Sequence, residues 1–376
     1  MVLIKVGFHF NWAIETHIIH LIPTFRQHNV DVRRKLKLRE RHMSFMKIKH
    51  LAAAGALFGA ISMVANTASA VEWDLPLAWP DGNFHVENAR TFAKVVGQVT
   101  GGEVKINIHP GGSLGFKGPE MLTAVRDGLV PIGDVLLIQQ SGERKILGLE
   151  AQPYMVKSLD ELSILHKHFV PEVKKIAAEY NQKVLYVVPW PRQYVYTKIL
   201  AKTADDLKGI KIRTYNSSTT EMFNRIGMTA VQLPWGEVVP SLAAGTIDAV
   251  TTSASSGVDG KFWEFLKYMY PTNHVWSSNA LTVNMDAWNA LSKEHQVAIE
   301  AAAAALQSVF WEVSKSEDNV KVATLNKNGL KTGDVTAGML ADMQKATKPM
   351  TGEYIKDVGG ASGAIIAGFL KDVGRN

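Results

Sequence analysis

The sequence predicts an α/β fold in two lobes, braced by one long helix that spans both. Three observations carry this. Strand-like alternation and helical spacing succeed one another along residues 71–251. An unbroken helical pattern starts near Ser292 and runs to Asn328-Gly329; at ~1.5 Å per residue, about 35 residues span about 50 Å, more than one small domain. The 376 residues suffice for about two or three domains of 100–200 residues each. They contain neither an internal repeat nor a low-complexity linker, so lobes joined by short crossings fit better than separate beads.

The chain opens with an address rather than a fold. Met46-Lys47-Ile48-Lys49-His50 is a short basic stretch, Leu51 to Val64 is apolar and rich in small residues, and Ala68-Ser69-Ala70 fits the A-x-A cleavage pattern. The apolar run falls short of the ~20 residues of a membrane span. Residues 43–70 are therefore expected to be a secretory signal peptide cleaved after Ala70, with Val71 as the mature N-terminus. Residues 1–42, with the run Arg33-Arg34-Lys35-Leu36-Lys37-Leu38-Arg39, do not fit a signal peptide, whose basic region is short and abuts the apolar one. They are expected to be a start-site extension outside the fold, the true start being Met43 or Met46.

After the leader, Trp73, Leu75 and Leu77 alternate with Glu72, Asp74 and Pro76 as in a strand. Pro80-Asp81-Gly82-Asn83 is a turn. Ala89, Phe92, Ala93, Val96 and Val99 are spaced as in a helix that Gly101-Gly102 ends. Val104, Ile106 and Ile108 form a second strand, broken by His109-Pro110-Gly111-Gly112. A short helix over 120–128 and a buried strand over 135–138 follow. A helix over 159–180 is expected to be interrupted at Pro171. Val184–Val188 is a strand stopped by Pro189-Trp190-Pro191. Asp205–Gly209 is a turn before the strand Ile210–Arg213, Ser218–Ile226 is a helix ended by Gly227, and Val238–Ala244 is a helix ended by Gly245. Ile247–Thr251 is a strand. Ser292 is an expected N-cap for the long helix.

Composition narrows the chemistry. The chain is 46% hydrophobic and 20% charged, ordinary for a globular protein. It has no cysteine, which excludes disulfides, thiolate metal sites and cysteine nucleophiles. The formal charge of +6 suggests nucleic acid only until it is located: residues 1–70 hold 10 of the 41 Lys and Arg but 3 of the 35 Asp and Glu. The rest is close to neutral and has no basic stripe for phosphates.

Gly111-Gly112-Ser113-Leu114-Gly115 matches the G-x-S-x-G elbow of hydrolases, but Phe116-Lys117-Gly118-Pro119 stands where a helix must follow at once, which favours a glycine-rich turn. There is no Walker loop, H-E-x-x-H, EF-hand loop or dinucleotide fingerprint. His166 and His168, two apart on a helix, face different ways and make a poor metal pair. Arg213 says more. It ends a strand before the polar loop Thr214-Tyr215-Asn216-Ser217-Ser218, and ligands of open α/β sheets bind beyond strand carboxyl ends. An Arg there can grip a carboxylate with two parallel hydrogen bonds, and the helix N-terminus beside it favours an anion. Arg192 follows the rigid Pro189-Trp190-Pro191. Trp190, Trp235 and Trp276 each adjoin a loop or strand end and are candidates to wall a pocket.

Taken together, Asp206-Leu207-Lys208-Gly209-Ile210-Lys211-Ile212-Arg213 resembles a segment of the dicarboxylate-binding (DctP) type of TRAP transporter solute-binding proteins. Leu233-Pro234-Trp235-Gly236-Glu237-Val238, followed by Leu242 to Val250, resembles that family's next signature, and Pro110 to Gly115 its glycine turn. The resemblance covers essentially all of 71–376. It implies a periplasmic-binding-protein-like fold with a ligand cleft between the lobes: 71–189 plus about 278–317 in the first lobe, 190–277 plus about 318–376 in the second. It implies an exported, periplasmic, non-enzymatic protein that captures a small organic carboxylate and delivers it to the small and large membrane subunits of a TRAP transporter. A ligand-sensing protein that signals to a receptor is the alternative, a hydrolase the remoter one. No cofactor, metal ion or nucleic-acid partner is implied, and no oligomeric state. By the same resemblance Arg213 pairs with the ligand carboxylate, Arg192 is a second Arg, and Trp235, beside Trp190, packs on the ligand. Thr252 or Ser253 reaches it, and Asn83 to His85 and Gln139 line the first lobe's side. The apolar run Val135–Ile138 stands where members selective for sugar acids often carry an acidic residue, which favours a monocarboxylate or keto acid with an apolar or aromatic body.

Mass spectrometry of the native precursor and mature protein is expected to give Val71 as the mature N-terminus and no peptide from 1–42. Peptides from that stretch would overturn the start-site reading.

Overall fold

The structure, a computed structural model, describes residues 70–375. The expected start-site extension at 1–42 and the expected signal peptide at 43–70 lie outside the described residues, except Ala70. The first segment is built as the alternation predicts. Strand β1 (Val71–Pro76) buries Trp73 and Leu75 and runs parallel to β2 (Val104–His109), from Val71 against Val104 to Pro76 against His109. Helix α1 (Phe84–Val99) connects them. Asn83 caps its start, accepting the His85 N–H at 2.9 Å, and Gly101 and Gly102 follow its end at positive φ. Next come α2 (Met121–Arg126), β3 (Ile132–Leu136), two short 3-10 turns, α3 (Leu159–Glu179) and β4 (Gln182–Pro189).

Two expectations shift here. The strand expected over 135–138 starts three residues earlier, and Leu137 and Ile138 wind into a 3-10 turn. The whole run is buried, so its hydrophobicity has no period to mark the change. Helix α3 passes through Pro171 unbroken. Pro171 and Lys167, whose carbonyl loses its helical partner, both lie on the exposed face, so no buried carbonyl is orphaned.

The chain then crosses to β5 (Gln193–Thr197), β6 (Lys211–Thr214), α4 (Ser217–Ile226), β7 (Thr229–Gln232), α5 (Val238–Ala243), β8 (Ala249–Ser253), α6 (Ala254–Asp259) and β9 (Tyr268–Tyr270). It crosses back to β10 (Ser278–Asn284), α7 (Met285–Asn289) and the long α8 (Lys293–Lys327), and ends in β11 (Lys331–Thr332), α9 (Ala337–Thr347), α10 (Met350–Val358) and α11 (Ser362–Asp372). The order β11-β9-β5-β8-β6-β7 makes a six-stranded mixed sheet, and β10 sits between β3 and β4, antiparallel to both, in a three-stranded one. The two crossings run side by side: the Trp190 N–H donates to the Ser277 carbonyl at 2.8 Å and the Asn273 N–H to that of Gln193 at 3.0 Å.

Helix α8 is 35 residues long, and Ser292 caps it by accepting the His295 N–H. Its first part packs on β4: Phe310 meets the Tyr186 ring at 5.3 Å and Trp311 Nε1 donates to the Val187 carbonyl at 2.9 Å. Seven residues on, Asp318 accepts a hydrogen bond from Tyr194 of β5 at 2.9 Å. One helix thus serves both sheets. The C-terminal segment does not stay with the second lobe as 318–376 was expected to. Helix α9 packs on α4, but α11 returns to α3, where Ile365, Ile366 and Phe369 join the core of Leu162, Leu165 and Phe169. The apolar face of α11 decides this, with Arg375 paired to Glu161 at 2.6 Å.

Phe369 is fully buried. Phe369→Ala is expected to destabilise the protein by about 3–5 kcal/mol, read as a lower midpoint in urea unfolding. An unchanged midpoint would show that α11 is no part of that core.

Candidate ligand-binding site

Arg213 lies near the carboxyl end of β6, between β7 and β8, and is 3% exposed. Its Nε donates to the Leu233 carbonyl at 3.0 Å, its Nη1 lies 3.5 Å from the Thr251 carbonyl, and its guanidinium stands 5.6 Å from the centre of the Tyr215 ring. Among the described residues no Asp or Glu forms an ion pair with it. Burial pushes its pKa down to about 10, which leaves it charged at neutral pH. A buried charge without a counter-ion is costly unless paired, so the site is prepared for an anion. The neighbouring N-terminus of α4 is less open than the sequence suggests, because the Asn216 side chain accepts the Thr219 N–H.

Arg213 faces a small cavity, part of it open to solvent. The first sheet's side contributes Trp79, Leu136 and Gln139; the second contributes Gln193, Arg213, Tyr215, Trp235, Thr252 and Ser256; the crossings contribute Trp190 and Ser277. The aromatic wall is tightly fitted. Trp79 and Trp190 meet edge-on at 4.8 Å, and Phe84 and His85 back Trp190 at 5.2 and 4.6 Å. Trp190 Nε1 donates to Asn279 Oδ1 at 2.7 Å and Trp79 Nε1 to Asp134 Oδ1 at 2.8 Å. Burial pushes the Asp134 carboxyl up to about 6, against the hydrogen bonds from Trp79 and Asn279.

Of the residues singled out from the sequence, Arg213, Trp190, Trp235, Thr252 and Gln139 come together around this cavity. The others do not line it. Arg192 turns half-exposed toward α8 and pairs with Asp318 at 3.1 Å. Ser253 is the cap of α6, its Oγ accepting the Ser256 N–H. Asn83 caps α1 and donates across to Asp259 of α6 at 2.6 Å. His85 sits behind Trp190, and burial depresses its pKa to about 3, so it is neutral. Trp276, the third tryptophan considered, is bonded to the Val156 carbonyl in the core. An acid does stand beside the apolar run, Asp134, but its carboxylate is taken by Trp79 and Asn279.

Sequence reasoning missed Trp79, Gln193, Tyr215, Ser256 and Ser277. Tyr215 and Gln193 had a signal, two residues after Arg213 and one after Arg192. Ser256 and Ser277 had none. Ser113 of the G-x-S-x-G match is exposed on a turn whose Gly111 and Gly112 N–H groups bond the Trp79 and Leu77 carbonyls, so the glycines serve a turn at positive φ.

The described residues contain no helix long and apolar enough to cross a membrane. Residues 77–357 match the family model "DctP: Bacterial extracellular solute-binding protein, family 7". Among solved structures, the chain resembles a marine metagenome TRAP solute-binding protein specific for pyroglutamate, with a TM-score of 0.77 and 32% identity over 81% of this chain and 99% of that one. It resembles equally DctP6, an extracytoplasmic solute receptor of Bordetella pertussis that binds pyroglutamic acid, with a TM-score of 0.77 and 31% identity over 80% of this chain and all of that one. Among characterised sequences it is 27% identical over 299 residues, 76% of this chain and 83% of the relative, to the 2,3-diketo-L-gulonate-binding periplasmic protein of Escherichia coli. With its three sheets, bracing helix and buried arginine at the cavity, the chain belongs to the DctP family of bacterial extracellular solute-binding proteins, those of TRAP transport.

Proposed function

We propose that the cavity captures a compact monocarboxylate, with pyroglutamate the first candidate, and that the protein hands it unchanged to the membrane subunits of a TRAP transporter. The observation that carries this is Arg213: a buried guanidinium with no acidic partner among the described residues, facing a cavity walled by Trp79, Trp190 and Trp235. Two relatives above 30% identity are structures of pyroglutamate-binding proteins, and pyroglutamate is a carboxylate on a small flat ring. The tryptophan faces and Leu136 suit such a body better than a polyhydroxylated chain. Thr252, Ser256 and Gln139 supply the few polar groups that fix its orientation. Delivery, rather than sensing, follows the family's role in transport.

Capture works by a shift in populations. The open form presents Arg213; the ligand carboxylate meets it in a charge-assisted pair, and closure of the lobes removes both from water. A hydrogen bond to a charged group contributes about 1.5–3 kcal/mol, and an unpaired buried carboxylate costs more.

Arg213→Ala is expected to weaken pyroglutamate binding at least ~100-fold, about 2.7 kcal/mol at ~1.4 kcal/mol per decade, by titration calorimetry. A loss below about threefold would remove Arg213 as the anchor. Ligand released by denaturing protein purified from its own periplasm should be a small monocarboxylate, unchanged after incubation. If only sugar acids were released or raised the melting temperature, the compact-ligand reading would be wrong.

A further inference from the structure

Trp79 comes from the turn after β1 and Trp190 from the first crossing, yet the indole N–H groups of both lead to one buried carboxylate. Trp79 Nε1 donates to Asp134 Oδ1 at 2.8 Å. Trp190 Nε1 donates to Asn279 Oδ1 at 2.7 Å, and Asn279 Nδ2 donates to the same Asp134 Oδ1. Asp134 lies in β3 and Asn279 in the neighbouring β10, 6% and 1% exposed. Neither side chain lines the cavity, while both tryptophans do.

The chain of bonds has a direction. A carboxylate only accepts, whereas an amide both donates and accepts. Asp134 therefore compels Asn279 to turn its nitrogen inward, and this leaves the amide oxygen for the Trp190 N–H. With no acceptor at 134, the buried Asn279 NH₂ loses its partner and the amide is held only by the Trp190 N–H, so both side chains lose their fixed position. A carboxylate at this depth is a poor choice for stability alone, since well-packed apolar side chains often do as well. Both of its hydrogen bonds run to groups that set the shape of the cavity.

We propose that Asp134 is a positioning residue for ligand capture. It fixes the aromatic wall directly through Trp79 and, by orienting Asn279, through Trp190, and it touches no ligand itself. The effect on affinity rests on the carboxylate-capture reading above; the effect on the tryptophans does not.

The test uses the mature protein labelled with 5-fluorotryptophan, the ¹⁹F resonances of Trp79 and Trp190 being assigned with Trp79→Phe and Trp190→Phe. Asp134→Leu is expected to move or broaden both resonances, including that of Trp190, which Asp134 does not touch, and to leave that of Trp288 in α7 in place. It is expected to weaken pyroglutamate binding at least about tenfold by calorimetry. Asp134→Asn, which keeps an acceptor oxygen of the same size, should return both resonances and most of the affinity. A folded Asp134→Leu protein with the Trp190 resonance unmoved, or with affinity within about threefold of the parent, overturns the proposal. Should Asp134→Leu fail to fold, Asn279→Ala cuts the chain at its middle: the Trp190 resonance moves while that of Trp79 holds. Neither moving, or both, counts against the relay. If the parent binds no carboxylate, the functional reading fails and the resonances alone decide the relay.

Discussion

The structure is organised around a positive charge that the protein buries and leaves unpaired. Arg213 is held by one carbonyl at 3.0 Å, a longer contact to a second and the face of Tyr215, none of which carries a negative charge at neutral pH. In water such a guanidinium costs nothing to keep; inside a protein it is costly until an anion arrives. The low dielectric that penalises the lone charge also strengthens its attraction to a carboxylate. Affinity and selectivity for acids thus share one origin. The tryptophan wall matters because it limits the water that can relieve that penalty.

For closure to be governed by the ligand, the lobes must not hold one another too firmly. Polar links run between them: Asn83 to Asp259 at 2.6 Å, the exposed pair Lys117–Glu237 at 3.2 Å, Ser218 to the Ala151 carbonyl at 3.1 Å, Asn273 to the Lys157 carbonyl at 2.9 Å and, through α10, the ion pairs Arg225–Glu353 and Lys145–Asp357. The exposed ion pairs contribute about 0–1 kcal/mol each, which under the proposed function leaves the balance to be shifted by the ligand. The paired crossings and the single helix α8, by contrast, are continuous covalent structure. They fix where the two halves meet without fixing how tightly. The return of α11 to α3 adds to this frame, because the chain's end stabilises the half that its middle had left.

Much of this was legible in the sequence, and the limits have physical causes. Ser292, Gly227 and Gly245 marked helix ends correctly because caps and left-handed positions depend on local chemistry. Arg213 was legible because a strand, an arginine and a polar loop lie in a row. Strand β10 was not. Its Ser278, Asn279 and Asn284 are buried and hydrogen-bonded to distant partners, so the polar residues that seem to mark a loop are satisfied only in the fold. Arg192 misled for the converse reason: Asp318, which claims it, lies 126 positions along the chain. The cavity's serines, Ser256 in α6 and Ser277 in the second crossing, come together only in the fold, which no local pattern records.

The choice of arginine follows from the same constraint. The anchor is buried, and burial favours the neutral form of any cation. A lysine starts from a lower pKa, about 10.4, and shifts readily when desolvated. Placed here it would tend to lose its charge. Arg213, pushed down to about 10, stays protonated at neutral pH. Its guanidinium is also more weakly hydrated than an ammonium, so less is lost in burying it. A binding protein must release what it holds, and a cation that keeps its charge through both states makes capture and release the same equilibrium run in opposite directions.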